Sequence, residues 1–294
     1  MCVLPGACSC SRVLYLGAVL PLILAAGALA AEPAEPTGPN LLMGPPPRVA
    51  TPRPAEADEA MYDRCMKLAR DNPAAARELA EGWRGRGGAH PAEHCYAVAL
   101  IGLKQYKPAA ARLEKLAEAM VSAPAALRAG VFAQAAQARL LDGDPGHAYA
   151  DDGAALALHP DDPDTLVDRA EAAGSAGWFD KAVSDLDKVL KAEPSRLEAL
   201  IYRASAYREL GRLDPALADI EQALKLEPNS VPALLERGNI RGLKGDLDGA
   251  RQDWSRVAAL APGSPAEIAA KANLGHLDEP PQAAPSATPA SPKD

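Results

Sequence analysis

Apolar side chains recur at helical spacing along the chain, from about residue 57 to about residue 275. In the first such segment Met61, Cys65 and Leu68 fall on one face of a helix, since they are spaced by roughly one helical turn. Prolines and glycines interrupt the pattern at intervals that suit paired helices. The pattern predicts six helix pairs and a short final helix, over residues 57–85, 90–122, 125–158, 163–192, 197–226, 231–260 and 265–275.

The same unit occurs four times between residues 129 and 264. Each copy has a glycine, an alanine five residues later and a proline twelve residues after that, and successive copies are 34 residues apart. The four sets are Gly143, Ala148 and Pro160; Gly177, Ala182 and Pro194; Gly211, Ala216 and Pro228; and Gly245, Ala250 and Pro262. Upstream, the sequence Pro-Ala-Ala-Ala-Arg at residues 73–77 recurs thirty-five residues later at residues 108–112, so the periodicity extends there in degenerate form. A fixed period indicates one helical motif stacked on itself, because a single copy cannot bury its apolar face alone.

These units resemble the tetratricopeptide repeat, which has large apolar, small, glycine, alanine and proline residues at fixed positions. The copy that begins at Leu197 supplies Leu200, Ala204, Gly211, Ala216, Ile220, Ala223 and Pro228. The copy that begins at Ala129 departs from the pattern at Asp152, where a large apolar residue belongs. The resemblance covers about residues 90–275. It implies an all-α fold, a right-handed α-solenoid of stacked helix-turn-helix repeats.

Two charged columns run through the repeats and depart from the family's pattern. Position 7 carries arginine in three copies, and position 23 carries aspartate in four. We expect each aspartate to pair with the basic residue eighteen positions later, which fixes the register between repeats. The expected pairs are Asp151–Arg169, Asp185–Arg203, Asp219–Arg237 and Asp253–Lys271. In the alternative interpretation the arginines bind acidic groups of a ligand.

The resemblance also implies that the first helix of each pair lines the inner face of the solenoid. The residues expected there are Gln137, Glu171, Ser205 and Asn239, with Arg208 nearby. We interpret this polar column as a candidate site for a partner protein or an extended peptide. The alternative is an inner face that is polar only because water covers it. The clamp by which some family members hold C-terminal carboxylates needs lysines and asparagines in the groove, and only Asn239 fits.

One short motif has the spacing of a zinc peptidase. His90, Glu93 and His94 match the H-x-x-E-H pattern, in which two histidines hold the metal and the glutamate acts as a base. The motif follows two glycines and contains Pro91, so His90 lies at a helix start, where it need not face His94. A partly exposed helix end is the favoured interpretation. No other catalytic motif is found, and we expect no cofactor.

The N-terminal segment predicts export. Residues 13–31 are apolar, follow Arg12 and end in small residues, which is typical of a cleavable signal over residues 1–30. The alternative is an uncleaved inner-membrane anchor.

We expect four further segments after the signal. These are a Pro-rich linker over residues 31–56, degenerate helical repeats over 57–122, the regular array with its cap helix over 123–276, and a Pro/Ala-rich tail over 277–294.

Charge and cysteine content narrow the class of protein. The net charge of -8 argues against nucleic acid or an anionic membrane as a partner, since both need clustered cations.

Cys2, Cys8 and Cys10 precede the cleavage point, so Cys65 and Cys95 are left to form a disulfide in an oxidising compartment. The alternative for these two residues is burial as small hydrophobic side chains.

These observations predict a non-enzymatic scaffold of the periplasm or cell envelope that binds another protein or a peptide. We expect no membrane insertion after the signal is removed. Two other classes stay open: a zinc-dependent hydrolase centred on His90, Glu93 and His94, and a structural subunit of one complex without a transferable ligand.

Overall fold

The structure, a computed structural model, describes residues 54–278. The predicted signal, most of the linker and nearly all of the tail lie outside the described residues, as do Cys2, Cys8 and Cys10. Between residues 54 and 278 the chain forms thirteen α-helices and no strand. No helix in this range is both long and apolar enough to cross a membrane.

The helices form six pairs and a cap. The first helices of the pairs are α1 (Pro54–Asp71), α3 (Ala89–Gly102), α5 (Ala125–Leu141), α7 (Pro163–Ser175), α9 (Leu197–Glu209) and α11 (Val231–Lys244). The second helices are α2 (Pro73–Arg84), α4 (Tyr106–Ala119), α6 (Pro145–Leu158), α8 (Phe179–Ala192), α10 (Leu213–Leu226) and α12 (Leu247–Leu260). The cap helix α13 spans Pro265–Asp278. The six predicted pairs are confirmed. The first helix starts at Pro54, inside the segment predicted as linker, and α13 runs two residues into the predicted tail.

In each pair from α3 onward, a left-handed residue makes the turn between the two helices. In the regular array this residue is glycine, for example Gly177 with φ 77° and Gly211 with φ 72°. Glycine adopts this conformation at no steric cost because it has no Cβ atom. The equivalent turn between α3 and α4 has Lys104 with φ 58°. A lysine there is strained by about 1 kcal/mol, so the upstream turn is less well made than the downstream ones.

The apolar core differs between the two halves of the array. From Leu156 to Ala270 the buried side chains form one continuous cluster, built from Ala, Leu, Val and Ile with Trp254. Upstream the buried side chains divide into smaller clusters, of which one centres on Cys65 and Cys95 and another on Leu113 and Phe132. The described solenoid therefore has a regular part with a shared core and an irregular part with a divided one.

Candidate functional site: the inner face of the solenoid

The first helices line the inner side of the stack. Each one from α5 onward packs against the first helix of the next repeat, and α13 continues the series by packing on α11. No second helix in the described range packs comparably on the next second helix. The first helices are therefore closer together than the second helices, and the stack is concave on the side of the first helices.

The predicted column on this face is only partly available to a partner. Gln137 on α5 is exposed, and Ser205 on α9 is half-buried. Neither side chain forms a hydrogen bond with another described residue. Glu171 on α7 is half-buried and has contacts of its own. The free donors and acceptors of the column thus lie on α5 and α9.

Arg208 and Asn239, the other two predicted residues, belong to an internal network. The Arg208 guanidinium donates through Nε to Glu236 Oε1 at 2.6 Å, and its Nη1 lies 2.7 Å from Glu209 Oε1. Glu236 is buried, so this bond joins α9 to α11 beneath the inner surface. The Asn239 oxygen accepts from Trp254 Nε1 at 3.2 Å and from Asn273 Nδ2 at 2.9 Å. These polar groups hold successive repeats and the cap together.

The predicted register of the ion pairs is wrong. The arginine at position 7 pairs with the aspartate sixteen residues later in the same repeat, not with the aspartate of the preceding one. Each pair joins Nε and Nη2 of the arginine to the two carboxylate oxygens of the aspartate. The distances are 2.7 and 2.7 Å in Arg169–Asp185, 2.8 and 2.8 Å in Arg203–Asp219, and 2.8 and 2.6 Å in Arg237–Asp253.

The aspartates of these pairs are buried. The carboxylates of Asp185 and Asp253 are 3% exposed, which makes the two-bond geometry necessary for compensating the loss of water. The hydrogen bonds that Arg169 and Arg237 donate to Asp185 and Asp253 raise the pKa values of these two arginines. Each pair therefore locks the two helices of one repeat to each other.

Asp151, the first aspartate of the column, explains why the wrong register was predicted for the ion pairs. The copy that begins at residue 129 has Ala135 at position 7, which suggested that the partner of Asp151 lay in the next repeat. Instead Arg139, one helical turn further along α5, donates through Nε to Asp151 Oδ2 at 3.2 Å. Residues four apart share a helix face, so the cation is supplied from the same side of α5. Arg139 Nη2 also donates to Glu114 Oε2 at 2.7 Å, which ties this repeat to α4.

The last predicted pair, Asp253–Lys271, is also wrong. Arg241, again one turn beyond position 7, donates to Asp253 Oδ2 at 2.8 Å and adds to the bonds from Arg237. Lys271 Nζ lies 2.7 Å from Glu267 Oε1 within α13. One bond of the column does cross between repeats, since Arg203 Nη1 donates to Asp187 Oδ1 on α8 at 2.7 Å.

Asp152 is the most unusual polar group of the structure. Its side chain is fully buried on α6, and both carboxyl oxygens lack a hydrogen-bond partner among the described residues. Burial, with Asp168 and Asp151 nearby, raises the pKa of Asp152 to about 9. The carboxyl is therefore protonated and neutral near pH 7. It stands where the divided upstream core meets the continuous downstream one.

Cys65 and Cys95 form the predicted disulfide. The sulfur atoms are 2.01 Å apart, and the bond joins α1 to α3 across thirty residues of sequence. Both residues are fully buried, so the disulfide lies inside one of the separate upstream clusters.

The zinc-peptidase motif does not assemble a metal site. Glu93 is bound by two arginines, with Arg84 Nε at 2.8 Å and Arg112 Nη1 at 2.5 Å. His94 lies between Tyr62 and Gln134, at 2.8 Å from Nδ1 and 2.7 Å from Nε2 respectively. Burial lowers the pKa of His94, so the ring is neutral and links three first helices. Between residues 54 and 278, no three His, Cys, Asp or Glu side chains are placed to hold a metal ion.

One further arrangement, a stack of two arginines on Tyr96, was not predicted from the sequence. The Cζ atoms of Arg84 and Arg112 lie 5.3 and 4.5 Å from the centre of its ring. Tyr96 and Arg112 are sixteen residues apart, the separation found in the arginine–aspartate pairs. The arginine stack on Tyr96 could have been found from the sequence by aligning the upstream helices on this sixteen-residue separation.

The stacked helix pairs, the shared inner face and the fixed turns define the class of α-helical repeat solenoids. Within this class the chain contains a tetratricopeptide repeat. The sequence profile described as "Tetratricopeptide repeat" matches residues 197–230, which are α9, α10 and the turn after them. The other helix pairs of the regular array repeat the same arrangement at the same spacing.

Solved structures share the fold. A thermophilic TPR protein from Thermus thermophilus is 20% identical, with a TM-score of 0.50, and the match covers 63% of this chain and 99% of that one. YrrB, described as a TPR protein with an unusual peptide-binding site, is 16% identical with a TM-score of 0.49, over 65% and 96% of the two chains. MamA is 14% identical with a TM-score of 0.49, over 56% and 93%. At these identities the likeness extends to the fold alone. No curated protein sequence matches the chain.

Proposed function

We propose that the protein is a non-catalytic scaffold that binds a partner protein or peptide on the inner face of its solenoid. The observation that carries the proposal is that Gln137 and Ser205 form no hydrogen bond with another described residue, whereas Arg208 and Asn239 of the same predicted column are held in internal bonds. One turn before Ser205, Ile201 is half-buried on the same side of α9. An extended peptide or an amphipathic helix needs this combination of apolar contact and free hydrogen-bonding groups.

Site-specific photocrosslinking in cells tests the face. A photoreactive residue at Gln137 or at Ser205 should give a crosslinked product of one defined mass, because both positions lie on the inner face. The matched control is Gln252, an exposed glutamine on α12, one of the second helices. Equal crosslinking at Gln137 and Gln252, or crosslinking at Gln252 alone, would show that the inner face is not the binding face.

We propose a periplasmic or cell-envelope location for this scaffold. The apolar segment at residues 13–31 and the disulfide between Cys65 and Cys95 both support export, since structural disulfides persist in oxidising compartments. Sequencing the N-terminus of the mature protein tests the proposal. We expect it to begin just after Ala30, whereas a membrane-bound protein that still begins with the apolar segment would favour the anchor.

A further inference from the structure

A cavity of about 550 Å³ opens on the irregular half of the solenoid. Its polar lining consists of Arg84 at the end of α2, His90 and Glu93 near the start of α3, and Arg112 and Lys115 on α4. Most of the lining belongs to the second helix α4, and α3 contributes only residues near its start, so the cavity is separate from the inner face. Its volume falls within the usual range for small-molecule sites.

The rim of this cavity is positive on a negative protein. Three cations, Arg84, Arg112 and Lys115, are opposed by the one carboxylate of Glu93, whereas the whole chain has a net charge of -8. The guanidinium side chains are 39% and 35% exposed, so a ligand in solution can reach them. A local excess of positive charge beside low-dielectric walls attracts anions.

The two arginines are already held in place for binding. Glu93 braces both of them with bonds of 2.8 and 2.5 Å, and Tyr96 supports both guanidinium groups on its ring. Each guanidinium has five N–H groups, and the bond to Glu93 uses only one on each side chain. Since the side chains are fixed beforehand, an incoming anion orders little and loses less binding free energy to entropy.

The rest of the lining is apolar. Pro108, Ala111 and Leu116 of α4 and Ala119 at its end form this part of the wall. A fully hydrated ion gains nothing from such a wall, whereas a short hydrocarbon chain binds more tightly as its apolar surface is removed from water. The cavity therefore suits a ligand with a charged head and an apolar body.

We propose that this cavity binds an amphiphilic anion, a carboxylate or phosphate monoester on a short apolar chain. The head group bonds to the unused N–H groups of Arg84 and Arg112 with Lys115 beside it, and the chain lies along the α4 wall. Planar guanidinium groups bind both kinds of head group through paired hydrogen bonds.

Calorimetric titration of the full-length protein tests the ligand class. Octanoate and hexyl phosphate should bind, and inorganic phosphate should bind about tenfold or more weakly because it buries no apolar surface. If only one of the first two binds, the proposal stands and the head group is identified. The proposal is overturned if neither binds, or if uncharged hexanol binds as tightly as hexyl phosphate.

Charge-neutralising variants locate the site. Lys115→Gln and Arg112→Gln should each weaken the tighter-binding probe by about fivefold to tenfold through loss of a charge-assisted bond. The matched control is Lys107→Gln, which removes the same charge from an exposed position on α4 outside the cavity. Equal weakening by Lys107→Gln, or unchanged affinity in Lys115→Gln, would overturn the assignment. Lys115 is exposed, so its variant should fold even if Arg112→Gln does not.

Discussion

The two halves of the solenoid are built from the same helix pairs but stabilised by different interactions. From α7 to α12 one apolar cluster runs through successive repeats, and each repeat contains an arginine–aspartate pair. From α1 to α4 the core is divided, and the helices are joined by a disulfide, by the bonds of His94 and by the arginine stack on Tyr96. A repeat that lacks the shared core thus depends on specific cross-links.

Two residue pairs at equivalent places in their repeats show most directly how the two halves differ. Arg169 and Asp185 face each other across one repeat as a buried ion pair, whereas Tyr96 and Arg112, at the same separation, form a cation–π contact. The ion pair uses both oxygens of its carboxylate. The cation–π contact uses only the face of the guanidinium and leaves N–H groups beside an open cavity. The arginine of the regular half is therefore occupied by its aspartate, whereas the arginine of the irregular half keeps the N–H groups that the proposed ligand would use.

The largest expected effect comes from removing the disulfide. Cys65→Ala combined with Cys95→Ala should lower the free energy of unfolding by about 3.5 kcal/mol, from the loop-entropy model for thirty residues. Denaturant unfolding measures it. Reductant should destabilise the wild type and leave this double variant unchanged. Equal sensitivity of both proteins to reductant would mean that the disulfide does not support the upstream half.

Breaking one ion pair should affect the downstream half almost as strongly. Asp185→Ala leaves Arg169 without its buried partner and should cost about 3 kcal/mol. Asp187→Ala is the control, because Asp187 lies on the same helix with a side chain that is 52% exposed and should cost only about 0.5 kcal/mol. Thermal melting compares the two variants. Similar losses in both would contradict a stabilising role for the position 23 column.

A smaller effect on stability is expected at Asp152, where the upstream and downstream cores meet, and this effect depends on pH. The pKa of Asp152 is raised from 3.8 to about 9 in the folded protein, so folding binds a proton. Stability from this group is complete below the unfolded value and is lost as pH rises toward the folded value. Asp152→Asn should raise the free energy of unfolding at pH 8 by about 2 kcal/mol, and it should remove most of the decline with pH.

The pH range for this measurement is chosen so that Asp151, a second carboxyl with a raised pKa, does not titrate within it. Burial and the nearby charge of Glu114 raise the pKa of Asp151 to about 6, so its contribution also declines with pH but ends earlier. Unfolding curves recorded between about pH 7 and 9 therefore report on Asp152. A wild-type stability that is constant or rises over this range would show that the buried carboxyl is ionised in the folded protein.

The smallest expected effect is a gain at the upstream turn. Lys104→Gly places the residue used by the downstream turns at φ 58° and should stabilise the protein by about 0.5 to 1 kcal/mol. Lys104→Ala is the control, since alanine keeps the Cβ atom and the strain. If the alanine variant gains as much as the glycine variant in thermal melting, the left-handed turn is not the source of the difference.

The helices and their boundaries could be predicted from the sequence because they depend on local signals. Glycine at the turn, proline near the end of the second helix and apolar spacing repeat in every regular copy. The upstream pairs could also be found, although Lys104 stands at the turn in place of glycine.

The pairing of charged side chains could not be predicted by counting positions. Spacing says which residues share a face, but the partner of Asp151 depended on whether Arg139, one turn away from the expected position, could reach it. The residues available on the inner face could not be predicted by counting positions either. Arg208 and Asn239 are bound to Glu236, Trp254 and Asn273, and this competition within the protein is visible only in three dimensions.

Hydrogen exchange measured region by region, with the disulfide intact and then reduced, tests most directly whether the two halves are stabilised independently. After reduction we expect amides in α1 to α4 to lose protection, because Cys65 and Cys95 hold their divided core together. Amides in α7 to α12 should keep theirs, since the continuous cluster and the ion pairs do not depend on the disulfide. An equal loss of protection along the whole solenoid, or no loss in α1 to α4, would contradict the account.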